Sequence, residues 1–373
     1  MEKFEFLLES KDKQARAGVL QTRFGRIKTP VFMPVGTLGS VKAIFPEDLK
    51  KLDIEIILAN TYHLMLRPGD KLIRDMGGIQ KFINWNKPIL TDSGGYQIWS
   101  LSKIRKINEE GVSFMSHIDG KKINLTPENS IKIQENLNSD ISMVLDECTE
   151  YPASYKRALE SMELSLRWAK RCKIAFRQRT GFGLFGIVQG GMFGDLRKKC
   201  SCILNEIGFD GYAIGGLSVG EPHELMIDIV KKTLENICIS KPRYLMGVGR
   251  PVDIIKAVES GIDMFDCVIP TRFGRNGRAI TSSGEINLRN ACYAKDESPI
   301  DSSVDCYVSK SFSRSYIHHL TKSNEILSSM IISLHNIAFY KKMMSDIRES
   351  IFKNKFDDLK KSYLKYHEKY KKT

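Results

Sequence analysis

The sequence has no long hydrophobic run and no disulfide framework, and both absences narrow the class of protein. In 373 residues, no apolar stretch approaches the roughly 20 residues that a membrane-spanning helix needs. The opening segment MEKFEFLLESKDK carries acidic residues where a secretion signal would be apolar. The eight cysteines are scattered without regular spacing, so we expect reduced thiols. These features predict a cytoplasmic protein with no membrane segment.

Acidic residues are outnumbered, because 57 Lys and Arg stand against 44 Asp and Glu and the formal net charge is +13. Hydrophobic residues make up 42% of the chain, so the excess positive charge belongs to a folded body rather than to a basic tail. A polyanion such as nucleic acid is therefore a candidate partner. The open alternative is a lysine-rich protein from an AT-biased genome, with no such partner.

Short apolar runs recur along the chain, and most of them end in Gly, Asn, Asp or Gln. Amphipathic helix patterns, such as those of residues 152–176 and 223–237, lie between the runs. Apolar strands that alternate with amphipathic helices are typical of a parallel sheet covered on its faces. Eight such strands predict an α/β fold, a closed (β/α)8 TIM barrel, with a doubly wound open sheet as the alternative. The runs are 30–36, 55–60, 88–95, 141–148, 184–191, 211–220, 243–249 and 264–270.

The barrel pattern does not extend over the whole chain. We interpret residues 1–29 as an N-terminal antiparallel cap and residues 30–277 as the barrel body. After the eighth strand, short strands and polar loops replace the βα alternation, so residues 278–320 are interpreted as a small inserted subdomain. The C-terminal segment 321–373 would complete the barrel with helices at about 322–343 and from 345 onward.

Three acidic residues stand at the ends of predicted strands: Asp92 in TDSGGYQ, Asp146 in LDEC and Asp266 in FDCV. The carboxyl ends of barrel strands form one face, where barrel enzymes place their catalytic groups. Two carboxylates at a cleft can displace a group at an anomeric carbon, one as nucleophile and the other as proton carrier. Arg272 and Arg275, in a predicted turn after the last strand, suit a phosphate-bearing substrate. Each acid alone could instead be a strand-end cap, and it is their convergence that favours one site.

Other residues at the same predicted face suit a planar base. Gln189 offers a donor and an acceptor on one amide, and the glycines of Gly215–Leu217 allow close approach to the backbone. Tyr96 and Met246 could stack on the ring, although burial in the core is the open alternative for both.

Six motifs occur in order along the chain: TDSGGYQ, DEC, VQGG, GYAIGGLSVGE, YLMGVG and FDCVIPTRFGRNG. With these motifs, the chain from PVFMPVGT to HNIAFY closely resembles the bacterial tRNA-guanine transglycosylases, the queuine tRNA-ribosyltransferase family. The resemblance implies a (β/α)8 barrel with an inserted zinc subdomain. It also implies an enzyme of queuosine biosynthesis that acts on tRNAs with GUN anticodons. That enzyme replaces the wobble guanine by a deazaguanine, in bacteria the aminomethyl precursor of queuine.

The same resemblance implies a role for each matching residue. Asp266 matches the nucleophile that attacks ribose C1′ and forms a covalent RNA–enzyme intermediate, and Asp92 matches the general acid/base. The base-binding positions are Asp92, Ser93, Gly94, Gly95, Tyr96, Asp146, Gln189, Gly216, Leu217 and Met246. The RNA-contact positions are Gly247, Val248, Gly249, Arg250, Pro251, Val252, Asp253, Thr271, Arg272, Phe273, Gly274 and Arg275.

Two further sets of positions bear on the incoming base and on assembly. Cys148 and Val219 match the bacterial type, which implies the aminomethyl base. Phe312, Tyr316 and His319 match the aromatic positions that family members use at a homodimer interface, so we expect a two-fold dimer in which one subunit catalyses while the other helps to hold the tRNA.

The zinc site of the family is incomplete in this sequence. Members carry Cys-x-Cys-x-x-Cys and a distant His as ligands. The matching positions here are Val304, Cys306, Ser309 and His335. One thiol and one imidazole cannot make a closed four-coordinate zinc site, so we expect no zinc and no organic cofactor. The open alternative is an improvised site that uses Asp305, His318 or Cys292.

Two other functions would use the same fold or the same acids. A non-catalytic partner subunit, as in eukaryotic versions of the family, is disfavoured because both Asp92 and Asp266 are present. A retaining glycosidase acting on a free sugar would have little use for Arg272, for Arg275 or for a net charge of +13.

Overall fold

A computed structural model describes residues 3–101 and 105–367 of the chain. Its strands, in chain order, are β1 (Glu5–Asp12), β2 (Ala15–Thr22), β3 (Gly25–Thr29), β4 (Val31–Gly36), β5 (Ile57–Ala59), β6 (Ile89–Thr91), β7 (Arg105–Ile107), β8 (Val112–Met115), β9 (Lys122–Leu125), β10 (Ile141–Met143), β11 (Gly183–Val188), β12 (Gly211–Ile214), β13 (Arg243–Leu245), β14 (Met264–Cys267), β15 (Arg278–Thr281) and β16 (Gly284–Asn287).

The helices are α1 (Pro46–Lys51), α2 (Thr61–Leu66), α3 (Asp70–Asp75), α4 (Ile79–Phe82), α5 (Gly95–Leu101), α6 (Pro127–Leu137), α7 (Tyr155–Ala175), α8 (Gly194–Ile207), α9 (His223–Leu234), α10 (Pro251–Ser260), α11 (Ile269–Arg275), α12 (Tyr307–Ser311), α13 (Arg314–Lys322), α14 (Ile326–Phe352) and α15 (Phe356–His367). A short 3-10 helix covers Ala291–Tyr293.

Eight parallel strands close into a barrel in the order β10-β11-β12-β13-β14-β4-β5-β6, which confirms the predicted fold. The β14–β4 pair places Asp266 opposite Met33. Nearly every strand residue of the barrel is buried, because side chains fill the inside and helices cover the outside. The strands are shorter than the apolar runs; the run 88–95 keeps only Ile89–Thr91 as strand, and its polar remainder turns over the barrel rim.

The segment after the last barrel strand is a helix and not a turn, so that part of the prediction is wrong. Strand β14 ends at Cys267 and helix α11 begins at Ile269. Pro270 lies in the first helical turn, where its missing N–H needs no partner. Glycine is required at position 274 by packing and not by a turn, because a Cβ there would lie 2.3 Å from the Ser333 hydroxyl oxygen.

The two predicted C-terminal helices have the wrong boundary. Helix α14 runs without a break past the predicted end near residue 344, because Met344, Ile347 and Ile351 continue its buried face. The chain turns only at residues 353–355, where Asn354 adopts a φ of 53°. Helix α14 packs against β4 and α11 and so completes the outer layer of the barrel.

Small antiparallel sheets flank the described barrel: β1-β2-β3, β7-β8-β9 and β15-β16. The sheet β7-β8-β9 was not predicted, because its strands are short and partly exposed. Residues 278–320 form the β15–β16 hairpin, the 3-10 helix, α12 and most of α13. Among the described residues, no helix is both long and apolar enough to span a membrane.

Candidate active site

The barrel brings Asp92 and Asp266 to one site from distant parts of the chain. Asp92 directly follows β6 and Asp266 lies in β14, and only β4 and β5 separate these two strands in the barrel. Burial raises the pKa of Asp92, and the charge of Asp266 raises it further. The Asp92 carboxyl therefore lies within the electrostatic influence of Asp266.

Asp92 is fixed by donors from a neighbouring strand end and from α5. The Thr61 backbone N–H donates to Oδ1 at 2.8 Å, while the side-chain amides of Asn60 and Gln97 donate to Oδ2 at 2.5 and 2.8 Å. Burial raises the pKa of this carboxyl to about 6 although the three hydrogen bonds favour its ionised form. A group with such a pKa can both give and take a proton near neutral pH.

Asp266 is fixed through one oxygen only. The Tyr244 hydroxyl and the Gly247 backbone N–H donate to Oδ1 at 2.6 and 2.8 Å. Within the described residues, no donor contacts Oδ2. Burial raises the pKa of Asp266, and its two hydrogen bonds lower it. A carboxylate that is oriented by one oxygen and free at the other has the geometry of a nucleophile.

Asp146 forms a second polar group with two other predicted residues. The Gln189 amide donates to its Oδ2 at 2.7 Å, and the Ser93 hydroxyl lies 3.4 Å from its Oδ1. Burial raises the pKa of Asp146 to about 6. The Oε1 atom of Gln189 is buried and has no hydrogen-bond partner, so this wall presents an acceptor that a donor on a bound base would satisfy.

The backbone at Gly216 lies directly against Gln189. A Cβ at position 216 would lie 2.5 Å from Gln189 Oε1, and φ there is +65°. A Cβ at Gly215 would lie 2.8 Å from Gln189 Nε2. Only glycine allows this approach, and the next residue, Leu217, is 5% exposed and holds the loop in the core.

The two candidate stacking residues lie in different environments. Tyr96, in α5 after the Ser93–Gly95 turn, is 49% exposed and therefore not a core residue. Met246 follows β13 and is half-buried against the core. An exposed ring at the strand-end face is available to a bound base.

The predicted RNA-contact segments expose their arginines and bury most of their other residues. Arg250, Arg272 and Arg275 are exposed, and none of their guanidinium groups forms a hydrogen bond or ion pair with another described residue. Gly247 is also exposed, and Asp253 is paired with His223. The buried members are Val248, Gly249, Pro251, Val252, Thr271, Phe273 and Gly274. Among the RNA-contact positions, the exposed charged side chains are therefore the three arginines.

Glu221 belongs to the site and was missed by the sequence reasoning. Its two carboxylate oxygens accept hydrogen bonds from the backbone N–H groups of Ser218 and Val219 at 2.5 and 2.9 Å, which closes the loop after β12. Ser218 adopts a φ of 60° there. An acid following a glycine-rich loop was the available signal.

Arg197, in α8, was also missed. Its guanidinium is fully buried and donates to the carbonyl oxygens of Gly191, Val188 and Gly215 at 2.9, 2.8 and 2.8 Å. Burial lowers its pKa to about 10. It joins the ends of β11 and β12, and so fixes the loops that carry Gln189 and Gly216.

The fold and the site define the class of the protein: an enzyme built on a (β/α)8 barrel, with buried carboxylates gathered at the carboxyl ends of its strands. Comparison with known proteins is more specific. The family model for queuine tRNA-ribosyltransferase matches residues 11–369, and the chain belongs to that family.

Individual relatives cover nearly the whole chain. A queuine tRNA-ribosyltransferase of Thermoanaerobacter sp. is 53% identical over 371 residues, which are 99% of each chain. That of Idiomarina loihiensis is 52% identical over 359 residues, 96% of each chain. That of Rickettsia bellii is 52% identical over 351 residues, 94% of this chain and 97% of the relative. The family resemblance carried by the six motifs is confirmed.

Proposed function

We propose that this protein exchanges the wobble guanine of GUN-anticodon tRNAs for a deazaguanine, as a step of queuosine biosynthesis. Family membership over residues 11–369 supports the overall reaction. The observation that carries the mechanism is the paired arrangement of Asp266, fixed by one oxygen, and Asp92, whose pKa is raised by burial to about 6.

The reaction is a double displacement. Asp266 Oδ2 attacks ribose C1′, the bond from C1′ to guanine breaks, and protonated Asp92 gives its proton to the departing base. The ribose is then held as an ester of Asp266. Ionised Asp92 takes a proton from the incoming deazaguanine, which attacks C1′ and releases Asp266. Two displacements at one carbon retain its configuration.

Recognition of the base is assigned to the wall around Asp146. Its carboxylate accepts from the N–H donors of a guanine-like edge, and Gln189 Oε1 is a free acceptor beside it. Tyr96 and Met246 cover the ring faces, while Ser93–Gly95, Gly216 and Leu217 complete the pocket. Buried Cys148 and half-buried Val219 match the bacterial type, which favours the aminomethyl base.

Binding of the tRNA is assigned to Arg250, Arg272 and Arg275. A base must leave its stack before C1′ can be attacked, and an anticodon loop permits this at low cost. Exposed, unpaired guanidinium groups bind phosphates on either side of such a base. The net charge of +13 strengthens the attraction at longer range. Because tRNA is the substrate, we place the reaction in the cytoplasm.

We also propose a two-fold homodimer that uses the surface of Phe312, Tyr316 and His319. Tyr316 is 41% exposed, His319 is exposed, and the Phe312 and Tyr316 rings lie 5.8 Å apart. Exposed, clustered aromatic rings are enriched at protein interfaces. One subunit would then catalyse while the other helps to hold the tRNA.

Incubation of the purified protein with tRNA and labelled guanine tests the function. Exchange predicts label in the tRNA and a covalent tRNA–protein adduct after denaturation, both lost in Asp266→Ala. A glycosidase would release base without incorporating label, and a non-catalytic subunit would bind tRNA without forming the adduct. Either outcome would overturn the proposal.

A further inference from the structure

The four positions that match the family's zinc ligands form a buried cluster with little metal-binding capacity. Val304, Ser309 and His335 are 0% exposed and Cys306 is 7% exposed. Val304 has no donor atom, and the Ser309 hydroxyl lies 2.8 Å from His335 Nδ1. One thiol and one imidazole remain, whereas a structural zinc site needs four ligands. These residues do not fit zinc.

The candidate substitute ligands lie elsewhere. The Asp305 side chain extends into solvent and pairs with Lys310 at 2.7 Å. Cys292 is exposed, and His318 Nδ1 lies 2.7 Å from the Leu288 carbonyl oxygen. Within residues 3–101 and 105–367, no three His, Cys, Asp or Glu side chains converge as a metal site requires.

The His335 imidazole is engaged at both nitrogens. Nε2 lies 3.0 Å from the Ile280 carbonyl oxygen, which can only accept, so Nε2 carries the proton. Nδ1 of the neutral ring is then an acceptor, and the Ser309 hydroxyl donates to it. The lone pair that a metal ion would use is therefore occupied by a hydroxyl proton. The bond from Nε2 to a backbone carbonyl is the same one that orients metal-bound histidines.

Asn336, the residue after His335 in α14, adds a second contact to Ile280. The Ile280 N–H donates to the Asn336 side-chain oxygen at 2.8 Å, while the Ile280 carbonyl accepts from His335. The Asn336 amide also donates to the carbonyl oxygens of Pro270 and Arg278 at 2.9 and 3.1 Å. Helix α14 thus binds both polar groups of one β15 residue, and Ser309 adds α12 to the same cluster.

We propose that the Ser309–His335–Ile280 hydrogen-bond chain, packed against Val304, takes the place of zinc and holds the inserted subdomain against α14. Buried apolar side chains of the insertion, Ile300, Val308 and Ile317, supply the packing. The protein then folds and works without structural zinc. This inference does not depend on the proposed reaction.

Metal analysis and thermal unfolding of the full-length protein provide the first test. We expect well below one zinc per chain after purification with added zinc, and a melting temperature that a chelator does not change. Ser309→Ala should lower the melting temperature by about 2–5 °C, because it leaves His335 Nδ1 buried without a donor. Ser311→Ala, in the exposed last position of α12, is the matched control. Stoichiometric zinc in the parent, or no shift in Ser309→Ala, overturns the proposal.

Restoring the ligands provides the second test. The double variant Val304→Cys/Ser309→Cys combines two new thiols with Cys306 and His335, and should bind about one zinc per chain through three thiolates and an imidazole. A chelator should then lower its melting temperature, while each single variant stays metal-poor. A double variant that folds yet binds no zinc contradicts the placement of the cluster. Exchange activity, measured separately, distinguishes failure of this inference from failure of the proposed function.

Discussion

The Tyr244 hydroxyl donates to Oδ1 of Asp266 at 2.6 Å, and this hydrogen bond fixes the orientation of the Asp266 carboxylate. The hydrogen bond favours the ionised form of Asp266 and opposes the effect of burial, which raises its pKa. It also leaves Oδ2 as the oxygen that can attack. Orientation and ionisation of the proposed nucleophile therefore depend on a residue of the adjacent strand.

Tyr244→Phe should slow formation of the covalent intermediate by roughly 10–100-fold, the range that a hydrogen bond to a charged group supports. The pKa of Asp266 should rise, so the acidic limb of the single-turnover rate should move to higher pH. Tyr212→Phe, at another buried tyrosine of the barrel, is the control. Equal rates for the two variants would show that Tyr244 does not act through Asp266.

Asn60→Ala should change the pH dependence of base entry. Asn60 donates to Asp92 at 2.5 Å and lowers a pKa that burial raises to about 6. Loss of this donor should raise the pKa further, so less Asp92 is ionised at neutral pH. The step that needs the ionised base should then have its acidic limb near pH 6 in the parent protein and at higher pH in the variant.

The measurement is the release of the covalent intermediate by guanine across pH 5–9 in rapid-mixing experiments. Gln97→Ala should shift the limb in the same direction, because Gln97 also donates to Asp92. An unchanged limb in both variants would mean that another group carries the proton.

Asp146→Asn should stabilise the fold at pH 8. Burial raises the pKa of Asp146 from 3.8 to about 6. At pH values between these two, the folded state therefore keeps a proton that the unfolded chain has lost. Stability from this group is then fully present below about pH 4, falls as pH rises to about 6, and stays low above it. The amide removes this loss, and we expect a gain of ~1–2 kcal/mol at pH 8 that disappears near pH 4.

Thermal or denaturant unfolding at pH 4 and pH 8 measures this difference. Asp228→Asn is a suitable control, because Asp228 is an exposed helical residue paired with Lys232. The variant should at the same time lose affinity for guanine, since Asp146 is assigned to base recognition. If the stability that Asp146→Asn gains over the parent is no larger at pH 8 than at pH 4, the raised pKa of Asp146 is contradicted.

The sequence predicted the barrel and the strand-end acids because both depend on local order along the chain. Apolar runs define strands, and a polar residue such as Asp92 directly after a run must lie at the rim. Arg197 and Glu221 were not predicted, because their roles are hydrogen bonds to backbone groups. Arg197 binds carbonyl oxygens of two loops that meet only in the folded barrel, and Glu221 binds N–H groups of the loop that folds back onto it. Helix α11 was mistaken for a turn because Gly274 is required by its approach to Ser333, a contact between segments that sequence spacing does not show.

Gly216→Ala should impair base binding without a general loss of tRNA binding. The new Cβ would lie 2.5 Å from Gln189 Oε1, at a φ of +65°. Gln189 would have to move away from Asp146, so we expect the KM for guanine to rise by roughly 10-fold or more, as loss of about one hydrogen bond implies. The KM for tRNA should stay close to that of the parent.

Gly208→Ala separates backbone strain from the clash. Its φ is +78°, yet nothing lies within 4 Å of the added Cβ, so it carries strain without displacing a site residue. It should lower stability slightly and leave both KM values unchanged. If Gly216→Ala behaves like Gly208→Ala in guanine titrations, the position of Gln189 is not critical to the pocket.

Arg272→Gln should weaken tRNA binding and reduce its dependence on salt. Arg272 is exposed and unpaired among the described residues, so contact with one phosphate would release about one counterion and change the slope of log K against log salt by about 1. Arg74→Gln removes the same charge from a guanidinium already paired with Asp75 at 2.7 Å, and should leave the slope unchanged. Filter binding of tRNA between 50 and 300 mM salt, roughly the range over which phosphate contacts dominate, compares the two variants. Equal slopes for Arg272→Gln and the parent would exclude Arg272 from the phosphate contacts and leave Arg250 and Arg275 as the residues to test.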